Sequence, residues 1–326
     1  MNNTFSPADV PKVPEEGIVG HSRELRAILA RVDEGAPLSA PALITGESGT
    51  GKELVARALH YRGPRKRHAF VPIDCRAVPE SVQEVELFGH VKGAYTGALR
   101  DRMGLIEEAD GGTVFFDEVT ALGSSVQARL SQFLEDGTFR RVGAPATIAI
   151  DARVVAATGC DVEGAIRDGR LREDLARKLG SISIHVPPLR ERPDDIELLA
   201  HHLIEKTALA QGMRTPAISD RALHLLKKHE WQGNIRELGS ILTRALTFDR
   251  DGVITSEDLP PGLRERKEDR LIAEAQRRRL TLDQLEREYI LATLEECGGR
   301  RKETATRLGV TPVTLWRKLK RCRVAG

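Results

Sequence analysis

No run of about 18 apolar residues occurs anywhere in this 326-residue sequence, so no segment has the length and composition of a membrane-spanning helix. Cysteine is sparse. Cys75, Cys160, Cys297 and Cys322 show neither metal-ligand spacing nor the pattern of a disulfide framework, and they read as reduced thiols serving as small core residues. The nine histidines form no metal pattern either; the adjacent His201 and His202 fall in a helical stretch. Met1 to Glu16 is polar and contains proline, with no apolar stretch between basic and small residues. No export signal is visible, and a cytoplasmic location is the expectation. No internal repeat of fixed period is evident.

What is present is an ordinary globular composition, 40% apolar and 30% charged. The net charge of +2 hides an uneven distribution. From Arg300 to Gly326 there are nine Lys and Arg against one Glu, so the rest of the chain is acidic overall. A basic end on an acidic body points to nucleic acid contact by that end alone. Five apolar segments read as strands: "PALITG", "FVPIDC", "TVFFDE", "ARVVAAT" and "SISIHV". Helical patterns separate them, which predicts an α/β fold with a parallel sheet covered on both faces. After Pro187-Pro188 the pattern is helical only, until Pro260-Pro261-Gly262 ends it. The expected organisation is a tail over residues 1–15, an α/β unit over 16–190, a helical lid over 191–260, a charged linker over 261–280 and a last helical unit over 281–326.

"GESGTGKE" follows the first strand and opens a helix. That setting is the one a phosphate-binding loop requires: glycines let backbone N–H groups converge on phosphate oxygens, and the helix N-terminus adds positive potential. Gly46, Glu47, Ser48, Gly49, Thr50, Gly51, Lys52 and Glu53 are therefore candidate nucleotide-binding residues, with Lys52 bridging the β- and γ-phosphates. The Ser or Thr expected after the lysine is replaced by Glu53, so Thr50 or a water must complete a magnesium shell. About 65 residues on, "GGTVFFDE" ends a strand in Asp117 and Glu118, at the sheet edge where open α/β folds bind ligands. Asp117 would hold magnesium and Glu118 would polarise the attacking water, which together predict ATP hydrolysis.

Taken together, "GESGTGKE", "ELFGHVKGAYTGA", "GGTVFFDE", "LREDL", "VPPLRERPDDI" and "WQGNIRELGS" resemble the AAA+ domain of sigma-54-dependent transcriptional activators, over about residues 16–260. The resemblance implies that the loop Gly93, Ala94, Tyr95, Thr96, Gly97 and Ala98 contacts sigma-54 and moves with ATP hydrolysis. Ile18, Val19 and Gly20 match the segment around adenine, Arg236 the sensor arginine of the lid, and Arg172 an arginine finger reaching the ATP of a neighbouring subunit. A homo-oligomeric ring, expected to be a hexamer, follows from that last role. Three departures bear on catalysis. Where the family has a second finger arginine this chain has Lys178, with Arg177 adjacent; either Arg177 substitutes, or hydrolysis is weakened, since lysine cannot reproduce a guanidinium fork. Gly159 stands where a sensor Asn is usual and brings no side chain. Asp74 stands where an Asn restrains the catalytic Glu, and would repel Glu118 unless protonated or counter-paired.

The C-terminal unit reads as a helix-turn-helix of the Fis type found in these activators. Thr311 is placed to cap a last helix starting at Pro312. Thr311, Val313, Thr314 and Arg317 are candidates for base edges in the major groove, and Lys318, Lys320 and Arg321 for phosphates. Trp316 is left between packing and DNA contact. The implied function is activation of sigma-54 RNA polymerase from upstream double-stranded DNA, driven by ATP and Mg2+, with control in trans by a separate protein or by abundance. The alternative is a DNA-binding regulator that keeps the AAA+ scaffold for nucleotide-gated assembly without remodelling sigma-54.

Overall fold

A computed structural model describes residues 17–248, 251–264 and 281–324. The tail expected over 1–15 and most of the expected linker fall outside them. The strands of the α/β part are β1 (Ala42–Thr45), β2 (Phe70–Asp74), β3 (Thr113–Asp117), β4 (Thr138–Arg140), β5 (Thr147–Ala149), β6 (Arg153–Thr158) and β7 (Ile182–His185); the region expected to be helical only adds a short parallel pair, β8 (Ala217–Ile218) and β9 (Val253–Ile254). Five of them form one sheet in the order β2-β3-β6-β1-β7, every neighbouring pair parallel. The five segments singled out in the sequence are these five strands. The antiparallel pair β4 and β5 stands apart from the sheet.

Side chains alternate across the sheet with a period of two, so each central strand feeds two cores. Leu43, Val114, Phe116, Val154 and Ala156 enter one cluster with the helices Ser124–Asp136 and Glu173–Leu179. Ile44, Phe115, Val155 and Ala157 enter the other, with the helices Arg23–Gly35 and Lys52–Tyr61. Burial on both faces explains why these strands read as continuous apolar runs. The register sets Thr45 beside Thr158, Ala157 beside Asp117, and Asp117 beside Asp74. The C-terminal ends of β1, β2, β3 and β6, with Thr45, Asp74, Asp117 and Thr158, therefore meet at one edge.

The lid follows as helices Asp195–Ala210, Asp220–Lys228 and Asn234–Phe248. Trp231, fully buried with φ 49°, donates its indole N–H to Leu226 O at 2.8 Å and turns the chain into the last of them. Asp195 fastens the lid to the α/β part. Its carboxylate, wholly buried, accepts from His21 N at 2.6 Å, Ser22 N at 2.7 Å and Ser22 Oγ at 2.6 Å, while Ser22 Oγ in turn caps the first helix through Leu25 N.

The chain divides into two compact units at Leu259/Pro260. In the second, helices Leu282–Glu296, Arg301–Arg307 and Pro312–Val324 close over Ile290, Ala305 and Leu315, with Leu308, Val310 and Leu319 against them. Cys75 and Cys297 are buried as expected, Cys160 is half-buried, and the side chain of Cys322 lies outside the described part.

Replacing Asp195 strands two backbone donors and a hydroxyl in the interior. Asp195→Ala should lower the stability of the first unit by on the order of 3 kcal/mol, read as a drop in the urea midpoint.

Candidate functional site

A cleft of about 780 Å³ opens at the C-terminal edge of the sheet, between the phosphate loop and the lid. Ser48, Gly49, Gly51, Lys52 and Glu53 line one side, Asp117 and Glu118 the floor, and Arg236 the lid side. The sequence reading had brought those residues together. It missed Leu203, Ile235, Gly239, Ser240 and Thr243, which give the cleft its lid wall.

The loop keeps its shape because almost every carbonyl that points away from the cleft is met. Lys52 Nζ donates to Gly46 O at 2.8 Å and Glu47 O at 3.2 Å. Asn234 Nδ2 donates to Ser48 O at 3.1 Å, Ile235 N to Gly49 O at 2.9 Å, and Arg192 Nη2 to Thr50 O at 2.7 Å. Leu54 N donates to Gly51 O at 3.0 Å. Glycine is compulsory at 49: φ is +79° and an added Cβ would lie 2.5 Å from Gly233 O. Glu47 turns out of the loop toward Arg190, whose two guanidinium nitrogens donate at 2.8 and 2.5 Å, and toward Asn234 Nδ2 at 3.0 Å. The Arg190 hydrogen bonds, then that of Asn234, hold the Glu47 carboxyl at about 2, far below its ordinary 4.5. Arg190, Arg192 and Asn234 were not singled out from sequence, although they sit inside "LRERPDDI" and "WQGNIRELGS".

Glu118 follows β3 in left-handed backbone, φ 59° and ψ 59°, a costly conformation for a non-glycine residue and one that clusters at functional sites. Its Oε1 faces Lys52 Nζ at 3.4 Å and its Oε2 accepts from Gly159 N at 3.0 Å. Burial raises the pKa of Asp117, with the Lys52 charge pulling the other way. Asp74 is counter-paired rather than set against Glu118: it accepts from Arg76 N at 3.0 Å and faces Arg76 Nε at 3.8 Å.

Other residues fall differently from the reading. Thr50, expected as one route to a magnesium shell, is buried, does not line the cleft, and donates its hydroxyl to Glu47 O at 2.8 Å. Glu53 instead lines the cleft and pairs with Arg57 at 2.7 Å. Ile18, Val19 and Gly20 do not line the cleft; Ile18 is drawn into the core beside Leu25 and Ile28. Arg236 Nη1 donates to Ser48 Oγ at 2.9 Å. Away from the cleft's lining, Arg172 is held by Asp174 at 3.0 and 3.1 Å, and Lys178 by Ser131 O and Glu135, each at 2.8 Å. Arg177 is exposed, and among the described residues it has no ion pair.

The loop Gly93–Ala98 projects above a base in which His90 pairs with Arg102 and Val142. Gly93 and Gly97 have φ +81° and +105° with open space around each. Tyr95, half exposed, rests edge-on against the His90 ring at 5.1 Å. Ala98 is buried at the loop's foot, Ala94 is half-buried, and Thr96 is exposed.

In the second unit, Thr311 caps the last helix by accepting from Thr314 N at 3.2 Å, and the two hydroxyls lie 2.8 Å apart. Val313, Trp316 and Arg317 are exposed. Lys318, expected on phosphate, is paired with Glu286. The side chains of Lys320 and Arg321 lie outside the described part.

A parallel five-stranded sheet with a glycine-rich loop after β1, two acids at the end of β3, and a helical lid over the cleft defines a P-loop NTPase of the AAA+ architecture. The chain belongs to the sigma-54 activator family: residues 18–185 match the Sigma-54 interaction domain, 190–279 an AAA+ ATPase lid domain, and 281–321 the Fis family of bacterial regulatory proteins. It is 41% identical over 307 residues to the Nif-specific regulatory protein of Azotobacter vinelandii, covering 91% of this chain and 57% of that protein. It is 36% identical to the regulatory protein LuxO of Vibrio cholerae serotype O1, covering 93% and 69%. The chain thus spans little more than half the length of several curated relatives that it matches. Among solved structures, NtrX from Brucella abortus in complex with ATP superposes with a TM-score of 0.70 at 31% identity, covering 96% of this chain and 70% of that one.

Because the folded Glu47 carboxyl titrates at about 2 rather than 4.5, its pair with Arg190 stabilises the fold at neutral pH and is lost as pH falls through that interval. The difference in urea midpoint between the native chain and Glu47→Gln should stay level above about pH 5 and close below it. A difference unchanged down to about pH 2 would contradict this.

Proposed function

We propose that the chain is an ATP-hydrolysing transcription activator that works on sigma-54 RNA polymerase from upstream DNA. One observation carries the reading: Lys52 and Glu118 stand 3.4 Å apart in a single cleft with Asp117 and the lid residue Arg236. A nucleotide's phosphates would take the N–H groups of the loop and draw Lys52 off the carbonyls it now satisfies. Glu118 would then orient a water for in-line attack on the γ-phosphate and accept its proton. Arg236, on the lid, would register whether that phosphate is present. The donor set suits a hard cation. Of the three acids lining the cleft, Asp117 is the one whose side chain makes no hydrogen bond or ion pair among the described residues, so it would hold magnesium with water completing the shell; the ion would neutralise phosphate charge.

Hydrolysis is proposed to need a ring, expected to be a hexamer, since the arginines at 172 and 177 are not among the residues that line the chain's own cleft. Arg177 is the cation ready to serve a neighbour, because Lys178 is already engaged. The loop around Tyr95 would carry the nucleotide state to sigma-54, its glycines lowering the cost of refolding. The last helix of the C-terminal unit would enter the major groove, with Val313, Thr314 and Arg317 at base edges. Thr311 would serve as its cap and Lys318 would first have to leave Glu286.

ATP turnover per subunit should rise cooperatively with protein concentration, and a flat, negligible rate would favour the scaffold alternative. Arg177→Ala should cut that turnover far more than Lys178→Ala; equal effects would remove Arg177 from the role. Thr96→Ala should abolish open-complex formation and the complex trapped with sigma-54 by a metal fluoride.

A further inference from the structure

The turn after β6 contains a group that no part of the proposed chemistry yet uses. Gly159 N donates to Glu118 Oε2 at 3.0 Å, and among the described residues this is the hydrogen bond that the carboxylate accepts beside its ion pair with Lys52. We infer that the main-chain N–H of Gly159 is the positioning group of Glu118, and that glycine stands at 159 to let the carboxylate come that close. The inference rests on the ATPase reading and deepens it.

Three observations converge. First, the direction of this N–H is fixed from both sides. Thr158 Oγ1 accepts from Cys160 N at 3.1 Å, and Cys160 Sγ accepts from Arg170 Nη1 at 3.2 Å, so the turn cannot swivel without breaking flanking contacts. Second, the backbone at 159 is outside the left-handed region, so what a side chain there would disturb is the space beside the carboxylate, which would have to give by a few tenths of an ångström. A Cβ there would lie 3.1 Å from Glu118 Oε1 and 3.7 Å from Oε2, against the group to be held. Third, the neighbouring Asp74 cannot take the task, because its carboxylate, paired with Arg76, accepts hydrogen bonds and has none to donate to Glu118.

The two holds on Glu118 differ in kind. Lys52 is a flexible cation that phosphates would recruit, so its contact at 3.4 Å loosens when nucleotide enters. The Gly159 N–H is part of a strand end and stays. Glu118 would then pivot from a doubly held carboxylate to one steered by a single backbone donor, which leaves its Oε1 free to face water. In electrostatic terms a fixed amide dipole does here what a side-chain amide does elsewhere, without a rotamer to order.

The test uses the full chain. Gly159→Ala and Gly159→Asn should lower kcat in graded fashion, the asparagine by about 10²-fold, the loss expected from displacing a reacting group by roughly 1 Å. KM for ATP and the affinity for a fluorescent ADP analogue should stay within about twofold, since no nucleotide contact is removed. In a Glu118→Gln background, adding Gly159→Ala should cost nothing further, because the glycine acts only through that carboxylate. A readout free of turnover is the amide resonance of Gly159 in protein labelled with 15N-glycine, identified by its absence from Gly159→Ala. It should shift upfield when Glu118→Gln removes the charge from its acceptor. An unmoved resonance, unchanged kcat in both glycine variants, or an additive loss in the Glu118→Gln background would each overturn the inference. A native chain that hydrolyses no ATP while the resonance still shifts would instead sink the ATPase reading and leave the hydrogen bond intact.

Discussion

Turning a loop's N–H groups toward one point forces its carbonyls the other way, into the protein, where each must find a donor or pay for being buried without one. The rest of the first unit is arranged around that demand. The donors that meet Ser48, Gly49 and Thr50 come from Asn234, Ile235 and Arg192, all beyond the last strand of the sheet. The loop is therefore shaped partly by the lid segment. A lid that swung freely would leave three carbonyls without partners, so the phosphate site and the lid are one mechanical object. Arg190 adds to this by gripping the loop's own acid, Glu47.

The same logic reaches the catalytic floor. Glu118 occupies left-handed backbone and so must be held by more than its own preference. Its two holds come from the phosphate loop, through Lys52, and from the turn after β6, through Gly159. The floor is thus tied to the loop on one side and to a neighbouring strand end on the other.

Much of the fold was legible because burial on both faces of a parallel sheet writes itself as apolar runs. "TVFFDE" needed no partner information to be read as a strand ending in acids. The phosphate loop was legible for the same reason: glycine spacing is a local steric requirement. What escaped was long-range. Asn234 lies 187 residues from Glu47, and nothing local in "WQGNIRELGS" says that its amide reaches back to the loop. Gly159 looked like a missing side chain because a one-letter code hides the backbone N–H that does the work. Asp74 looked like a liability because its neighbour Arg76 was not weighed beside it. Thr50 looked like a metal ligand by residue type, and only the geometry shows its hydroxyl turned to Glu47 O. In the C-terminal unit the capping role of Thr311 was readable from the Thr-Pro pair, whereas the pairing of Lys318 with a helix more than thirty residues earlier was not.

Asp195 receives the two amides of His21 and Ser22 and sits three residues from Arg192, which grips the phosphate loop at Thr50. The entry of the chain into the fold is consequently wired to the fulcrum of the nucleotide machinery. The same few residues that seat the start of the described chain therefore also seat the lid and, through Arg192, the loop.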